Sequence, residues 1–417
     1  MKRYPVLVIA IVAVIAFAIG VGCGSTVPTP TTSAQATATQ APASPTTAPQ
    51  PTTAATQAPQ ATATTAATSA ATSPAQPTAA ATNTPGGPTA PPPTSAAAVA
   101  QGRLKTVLDR GNLICGVNGQ LAGFSVLEAN GSYSGIDAEF CRAVAAALFN
   151  DVSKVEYRPL TTQNRFAALQ SGEVDVLMRN TTFTTNRDTA VGLDFLPTTF
   201  FDGGGILVEK SLNATKLSDL AGATICVLAG TTNEQVLTDT FSAENIQFTP
   251  LTFPEANALY AALDDGRCDA ATSDKSQLAG QRASVLKNPD NWVIMDVTLS
   301  KEPLGPAVLQ NDAQWADVVR WVVYATWYAE ELGITQANVD AKLANGSVNE
   351  KRFLGGTGSL GKDMGLPNDA FYRVIKLVGN YGEIFDRTLG PTTKFNVPRG
   401  LNTPYTQGGL QYSPPFR

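Results

Sequence analysis

The chain of 417 residues contains no histidine. Histidine is the commonest general base, the usual activator of a nucleophile and the commonest metal ligand. Its absence removes the Ser–His and Cys–His pairs on which many hydrolases depend. The five cysteines also lack the C-x-x-C spacing of structural zinc sites. We therefore expect neither a metal nor another cofactor, and no catalytic residue is identified.

Charge is scarce as well. Charged residues make up 15% of the chain, and the net charge is a mild -5. No basic patch interleaved with aromatic residues is present, which argues against a nucleic-acid partner. Residues 24–100 contain no charged side chain and consist mainly of Thr, Ala, Pro, Gln and Ser. Such a segment has too little large apolar area to offset the entropy of ordering it, so we predict a disordered tether without binding chemistry.

The N-terminus has the features of a secretory signal. A basic start is followed by a nearly continuous apolar run over 6–21 and then by Gly22 and Cys23. A small residue before a cysteine indicates lipoprotein processing, so residues 1–23 are predicted to be a signal with lipidation at Cys23, although Gly20 stands where such sites usually carry leucine. The alternative is an uncleaved anchor helix, for which the run is shorter than the ~20 residues that span a bilayer. Both readings place the folded part outside the cytoplasm, beside a membrane.

Four cysteines remain for the folded region. An even number in a secreted chain indicates disulfide bonds. Three pairings are open, and the grouping into two distant pairs favours Cys115 with Cys141 and Cys226 with Cys268.

The region after the tether alternates strand and helix patterns. Apolar runs at 112–117, 155–160 and 174–178 predict strands, and helical periodicity at 135–149 and 164–170 separates them. This alternation is typical of an open parallel α/β sheet, in which ligands bind at the carboxyl ends of the strands. The loops after these three strands should therefore face one cleft.

The loop at the end of 171–187 is rich in short hydrogen-bonding side chains. These are Asn180, Thr181, Thr182, Thr184, Thr185 and Asn186. Arg187 closes the loop with a guanidinium, which can hold a carboxylate through two parallel N–H bonds. The alternative is a polar turn with a solvated arginine.

Two further positions have the same character. Gly230, Thr231 and Thr232 precede a helix, where free N–H groups form an anion site, or where the threonine only caps the helix. Asp274 follows a predicted strand, where its carboxylate could accept from an ammonium group or remain a solvated loop residue.

Several motifs resemble one family in order. They are GFSVLEANGSYSGIDAEFCRAVAAAL, RFAALQSGEVDVLMRNTTFTTNR, CVLAGTTNEQ and RCDAATSDKS. They are similar to the family 3 extracellular solute-binding proteins of polar amino-acid ABC transporters. KEPLGPAVLQ, GNYGEIFDRTLGP and GGLQYSPPFR resemble the general L-amino-acid-binding branch.

The resemblance implies a two-lobed, type II periplasmic-binding-protein-like α/β fold. Each lobe would be a mostly parallel sheet flanked by helices, and the chain would cross a hinge twice. The expected divisions are 101–198 for the first part of lobe 1, 199–303 for lobe 2, and 304–417 for the return to lobe 1 and its C-terminal helices.

The resemblance also assigns roles at the cleft. The carboxylate of an amino acid would bind Arg187 and the backbone N–H groups of Thr182 and Thr232, beside Thr231. The ammonium would bind Asp274, the Thr182 hydroxyl and the Asn180 carbonyl.

Side-chain selectivity is expected to be broad. Where the basic-amino-acid branch has an acid and aromatics, this chain has Asn118, Leu121 and Thr162. Polar or neutral L-amino acids are expected, with Arg165 and Gln163 available to acidic or amide side chains.

The expected partners are an L-amino acid and the permease subunits of an ABC transporter, bound by a lipid-anchored extracytoplasmic monomer. Two other functions remain open. One is an enzyme on the same fold, such as a dehydratase or transglycosylase, for which no base paired to a nucleophile is found. The other is a ligand-sensing module that acts through a separate receptor.

Overall fold

The computed structural model describes residues 102–417. The predicted signal over 1–23, including Cys23, and the tether over 24–100 lie outside the described residues. None of the helices in the described range is both long enough and apolar enough to cross a membrane.

The described part of the chain contains thirteen α-helices. They are Arg103–Arg110 (α1), Ile136–Phe149 (α2), Arg165–Gln170 (α3), Thr185–Thr189 (α4), Thr232–Ala243 (α5), Ala256–Asp264 (α6), Lys275–Ser284 (α7), Ala313–Glu331 (α8), Val339–Asn345 (α9), Val348–Phe353 (α10), Leu360–Asp363 (α11), Ala370–Leu377 (α12) and Tyr381–Thr388 (α13).

The same residues contain fourteen β-strands. They are Leu113–Val117 (β1), Gln120–Leu121 (β2), Ser125–Leu127 (β3), Tyr133–Ser134 (β4), Val155–Pro159 (β5), Val176–Leu177 (β6), Leu193–Phe195 (β7), Phe200–Glu209 (β8), Thr224–Leu228 (β9), Thr249–Phe253 (β10), Ala270–Asp274 (β11), Trp292–Ile294 (β12), Ser300–Leu304 (β13) and Ala307–Leu309 (β14).

Two large sheets organise the molecule. The first has the order β5-β1-β6-β14-β7, and the second has the order β10-β9-β11-β8-β12, with β13 also paired to β8. We call the parts built on these sheets the first lobe and the second lobe. The expected two-lobed α/β fold is confirmed.

Each sheet has one strand that runs against the others. In the first sheet β14 is antiparallel to β6 and β7, and in the second β8 is antiparallel to β11, β12 and β13. These reversed strands are the ones through which the chain enters a sheet from the other lobe, by β7 to β8 and by β13 to β14. The remaining strands point the same way, so their carboxyl ends meet at one edge of each sheet.

The apolar core of the first lobe lies where α2, α8 and α12 pack together against the sheet. On α8, Trp315, Val318, Val319, Val322 and Val323 are fully or almost fully buried. Burying an aliphatic side chain of this size stabilises the fold by about 1.5–3 kcal/mol each. The tryptophan and valine stripe is therefore packing, as its helical spacing predicts.

A disulfide bond reinforces each lobe. Cys115 on β1 is bonded to Cys141 on α2, and Cys226 on β9 is bonded to Cys268, which precedes β11. The Cα–Cα distances are 6.2 Å and 5.7 Å. The sequence favoured this pairing among the three that were open.

The C-terminal segment contacts the chain where it enters the second lobe. Asn402 accepts a hydrogen bond from the Phe201 N–H at 2.7 Å and donates its amide to the Phe201 carbonyl at 3.0 Å. The Tyr381 hydroxyl donates to the Thr199 carbonyl at 2.7 Å. The start of β8 is therefore held by residues about 200 positions later in the chain.

Candidate ligand-binding site

A cleft of about 350 Å³ lies between the lobes at the carboxyl ends of the strands. Nine residues predicted from the sequence line it: Asn118, Thr162, Arg165, Asn180, Thr182, Arg187, Thr231, Thr232 and Asp274. Five more complete the lining: Arg179, Leu228, Asn233, Ser273 and Gln277. Residues distant in the sequence, and from both lobes, thus face one space.

Two of the predicted side chains lie elsewhere. Leu121 is fully buried in the core of the first lobe and does not line the cleft. In the β2–β3 hairpin it takes an inward position while its neighbour Gln120 is exposed, as alternation along a strand requires. The expected contact of Leu121 with a ligand side chain stays a prediction, which this inward position does not support. Gln163 is exposed and is also absent from the lining.

Arg187 is fixed by the backbone of its own loop. The Thr184 hydroxyl accepts from the Arg187 backbone N–H and caps α4, while the Arg187 guanidinium donates from Nη1 to the Thr182 carbonyl at 2.8 Å. Its side chain lies over the Phe166 ring, 5.5 Å from the centroid. Burial lowers the pKa of Arg187, and the negative charges of Glu302 and Asp274 oppose this effect. The guanidinium is held as a cation at the cleft wall.

Two more arginines stand beside it. Arg179 donates from Nε to the Leu160 carbonyl at 2.8 Å and from Nη2 to the Thr162 hydroxyl at 3.2 Å. Arg165 is 3% exposed, lies over Phe166 at 4.7 Å, and its buried Nε has no hydrogen-bond partner among the described residues.

Burial, Arg179 and Arg187 together lower the pKa of Arg165 well below its ordinary value. Three guanidinium groups thus face the cleft from the first lobe. An anionic group bound there would relieve both the repulsion among them and the missing hydrogen bond.

The opposite wall carries one acid, Asp274, with Asp202 and Glu302 close behind it. Asp274 ends β11, is 4% exposed, and accepts from the Asn233 amide at 2.8 Å. Burial raises the pKa of Asp274 to about 8, with further contributions from Asp202 and Glu302. Burial also raises the pKa of Asp202 to about 6. A cation bound in the cleft would favour the ionised form of Asp274.

Glu302 was not identified from the sequence. It lies on β13, is 1% exposed, and accepts from the hydroxyls of Thr182 at 2.6 Å and Thr232 at 2.8 Å. Alternation along β13 could have indicated that Glu302 is buried, because Glu302 and Leu304 share the inward face of the strand while Lys301 is exposed. An acid on the inward face of a strand marks a position that needs donors.

Asn180 has an unusual backbone. Its φ is 34°, in the left-handed region, and its N–H donates to Asp137 at 2.9 Å. Asp137 is buried in the first turn of α2, and burial raises its pKa to about 7. The first turn of a helix favours an acid through the helix dipole, and at this position Asp137 also fixes the cleft loop.

Helix α5 begins at the cleft. The Thr231 hydroxyl accepts from the Glu234 N–H at 3.1 Å, so the capping role considered from the sequence is present. Thr232 is the first residue of the helix and lines the cleft. The start of a helix favours negative charge, so capping and anion binding are compatible here.

The sequence profile of the bacterial extracellular solute-binding proteins, family 3, matches residues 113–287. The General L-amino acid-binding periplasmic protein AapJ of Rhizobium johnstonii is 49% identical over 324 residues, which cover 77% of this chain and 95% of that protein. The chain belongs to this family.

Two further solute-binding proteins are similar along most of their length. The Glutamate/glutamine/aspartate/asparagine-binding protein BztA of Rhodobacter capsulatus is 47% identical, with 77% of this chain and 95% of the relative covered. The solved structure of an ABC transporter / periplasmic binding protein from Brucella ovis with glutathione bound is 47% identical, with a TM-score of 0.74, covering 75% of this chain and 99% of that one.

These relatives are named as binding proteins, and this family member is likewise a solute-binding protein rather than an enzyme. Within residues 102–417 no group of three His, Cys, Asp or Glu side chains is arranged to hold a metal ion. The cleft of this solute-binding protein is lined instead by fixed positive and negative charges and by hydrogen-bond donors and acceptors.

Proposed function

We propose that this solute-binding protein captures L-amino acids outside the cytoplasm and delivers them to the permease of an ABC transporter. The names of the similar proteins, which include amino-acid-binding components, support this assignment. The cleft provides the physical basis, because a free amino acid carries a carboxylate and an ammonium group on the same carbon.

The separation of charge between the lobes carries the proposal. Arg187 comes from the first lobe and Asp274 from the second, and both line one cleft. Arg187 would bind the ligand carboxylate with the N–H groups of Thr182 and Thr232, and Asp274 would bind the ammonium with Asn180 and the Thr182 hydroxyl. A ligand held in this way contacts both lobes at once and favours the closed arrangement.

The side chain of the ligand would lie toward Arg165. Its buried Nε has no partner among residues 102–417, and neither has the buried Nε2 of Gln277 at the same cleft. Both are donors, so they fit the oxygen atoms of an acidic or amide side chain. Within a broad selection of polar amino acids, we therefore propose a preference for glutamate, glutamine, aspartate and asparagine.

Glutathione is a second candidate ligand. It is bound in the Brucella ovis structure, which is 47% identical to this chain. Its γ-glutamyl end carries the same ammonium and carboxylate as glutamate, and its other end is a second carboxylate, which suits a cleft lined by Arg165 and Arg179.

The remaining assignments are also part of the proposal. Residues 101–198 and 304–417 would form one lobe and 199–303 the other. The chain would act as a monomer, exported by its signal over 1–23, anchored through Cys23 and extended from the membrane by the tether over 24–100.

Isothermal titration of the full chain tests the ligand class. Micromolar or tighter binding of L-glutamate and L-glutamine, with weak binding of D-glutamate, is expected. Glutathione should displace L-glutamate if it uses the same cleft. No heat with any L-amino acid or with glutathione would refute the proposal.

The Arg187→Ala variant tests the site. Leaving the ligand carboxylate buried and unpaired should cost roughly 3–5 kcal/mol, which corresponds to a loss in affinity of more than about 100-fold. Arg158→Ala is the matched control, because Arg158 lies on β5 of the same lobe and pairs at the surface with Glu156 and Glu173. Equal affinities for the two variants would show that the cleft is misassigned.

A further inference from the structure

Glu302 has a position that the proposed ligand contacts do not explain. It lies on β13, next to the point where the chain returns to the first lobe. Residues beside Glu302 pair with the loop that carries Thr182. The Phe183 N–H donates to the Pro303 carbonyl at 2.9 Å, and the Gly305 N–H donates to the Thr181 carbonyl at 3.1 Å. The carboxylate is therefore embedded where the return crossing meets the cleft.

One oxygen of this carboxylate contacts both lobes. Oε2 accepts from the Thr182 hydroxyl of the first lobe at 2.6 Å and from the Thr232 hydroxyl of the second lobe at 2.8 Å. Oε1 accepts from the Ser300 hydroxyl on the same strand at 2.5 Å. Three donors satisfy a carboxylate that is 1% exposed.

These hydrogen bonds determine how the two threonines can act. A hydroxyl group has one proton to donate and two lone pairs that accept. Because both protons are directed to Glu302, the lone pairs of Thr182 and Thr232 are available to a donor in the cleft. The two hydroxyl oxygens lie 3.4 Å apart, and both residues line the cleft.

We propose that Glu302 is a positioning residue that joins the lobes and orients the Thr182 and Thr232 hydroxyls as acceptors for the ligand ammonium. The inference rests on the proposed amino-acid-binding function. In this arrangement a carboxylate that does not touch the ligand strengthens binding in two ways: it holds the threonines in register, and it stabilises the closed arrangement before the ligand contributes its own contacts.

The Glu302→Gln variant keeps the shape of the side chain and removes its charge. Weakening the two charge-assisted hydrogen bonds should reduce the affinity for L-glutamate by about 10-fold or more. Without ligand, amide hydrogen exchange should become faster at 181–183 and 231–235, since these segments lose their common acceptor. Ser300→Ala is the matched control, because Ser300 binds the same carboxylate from its own strand and joins no lobes; its affinity should stay within about threefold of wild type.

A double-mutant cycle separates positioning from a general structural role. If Glu302 acts through the hydroxyl of Thr232, the Thr232→Val change should weaken L-glutamate binding much less in the Glu302→Gln background than in wild type. Additive losses, an unchanged affinity of Glu302→Gln, or an equal loss in Ser300→Ala would overturn the inference. If the wild-type chain binds no amino acid, the proposed function fails, and the exchange rates alone then decide whether Glu302 joins the lobes.

Discussion

The ionisation of Asp274 predicts that ligand affinity depends steeply on pH. Burial, aided by Asp202 and Glu302, raises the pKa of Asp274 to about 8 in the free protein. The proposed ligand ammonium binds only the ionised carboxylate, so it lowers this pKa in the complex. Affinity should therefore be complete above pH 8 and should fall as the pH decreases through and below that value.

The size of the effect follows from the fraction of Asp274 that is ionised. With a pKa of about 8, half of the free protein carries the carboxylate at pH 8 and about one molecule in a hundred at pH 6. If the ammonium keeps the pKa in the complex below 6, the affinity for L-glutamate should fall about 50-fold across this range, or ~2 kcal/mol.

Calorimetry measures this linkage directly. Binding near pH 7 should release about one proton from Asp274, so the observed enthalpy should differ between phosphate and Tris buffers by the difference in their ionisation enthalpies. The pKa values of Asp137 and Asp202, raised to about 7 and about 6, lie in the same range. The Asp274→Asn variant isolates the contribution of Asp274.

The variant should bind weakly at pH 8 and should lose the steep part of the pH dependence. A wild-type affinity that is constant between pH 6 and pH 8, or a variant with the wild-type slope, would refute the assignment of Asp274 as the partner of the ammonium.

Two further predictions concern selectivity and stability. The Arg165→Met variant should lose about 10- to 100-fold in affinity for L-glutamate and less for L-glutamine, because a charge-assisted hydrogen bond is removed from the acid; competition titrations check this, and equal losses for both ligands would contradict it. Replacing Cys226 and Cys268 by serine frees a loop of 42 residues and should lower the free energy of unfolding by about 4 kcal/mol, against about 3.5 kcal/mol for the 26-residue loop of the other pair. Denaturant unfolding of this variant, of the Cys115→Ser/Cys141→Ser variant and of the wild type measures both losses. An unchanged midpoint in either variant would contradict the entropic account.

Much of the fold could be predicted because its signals are local. The apolar run at 112–117 contains β1 at Leu113–Val117, and the run at 155–160 contains β5 at Val155–Pro159. Helical periodicity at 135–149 and 164–170 likewise predicted α2 and α3. Each of these patterns lies within one stretch of sequence, so it can be recognised without knowing which other elements pack against that stretch.

The missed residues depend on distant parts of the chain. Glu302 meets Thr182 only because β13 returns 120 residues later, and a strand pattern alone does not show which loop it will meet. Arg179 follows the short strand β6 and was not singled out in the sequence, because only the fold brings its guanidinium to the Leu160 carbonyl. Leu121 was placed by its expected correspondence to a family position, and the inward face of β2 determined its actual environment.

The hydrogen bonds between Asn402 and Phe201 give the end of the chain an influence on the hinge. Both backbone groups of Phe201 are engaged by one amide side chain, so any rotation that bends the chain there has to stretch or replace two bonds of about 1 kcal/mol each. The stiffness of the pivot is thus set partly by a segment remote in sequence from every residue that faces the solute. Substitutions near position 402 can alter the work of opening and closing, and with it the rate of solute release, while the chemistry of recognition stays the same.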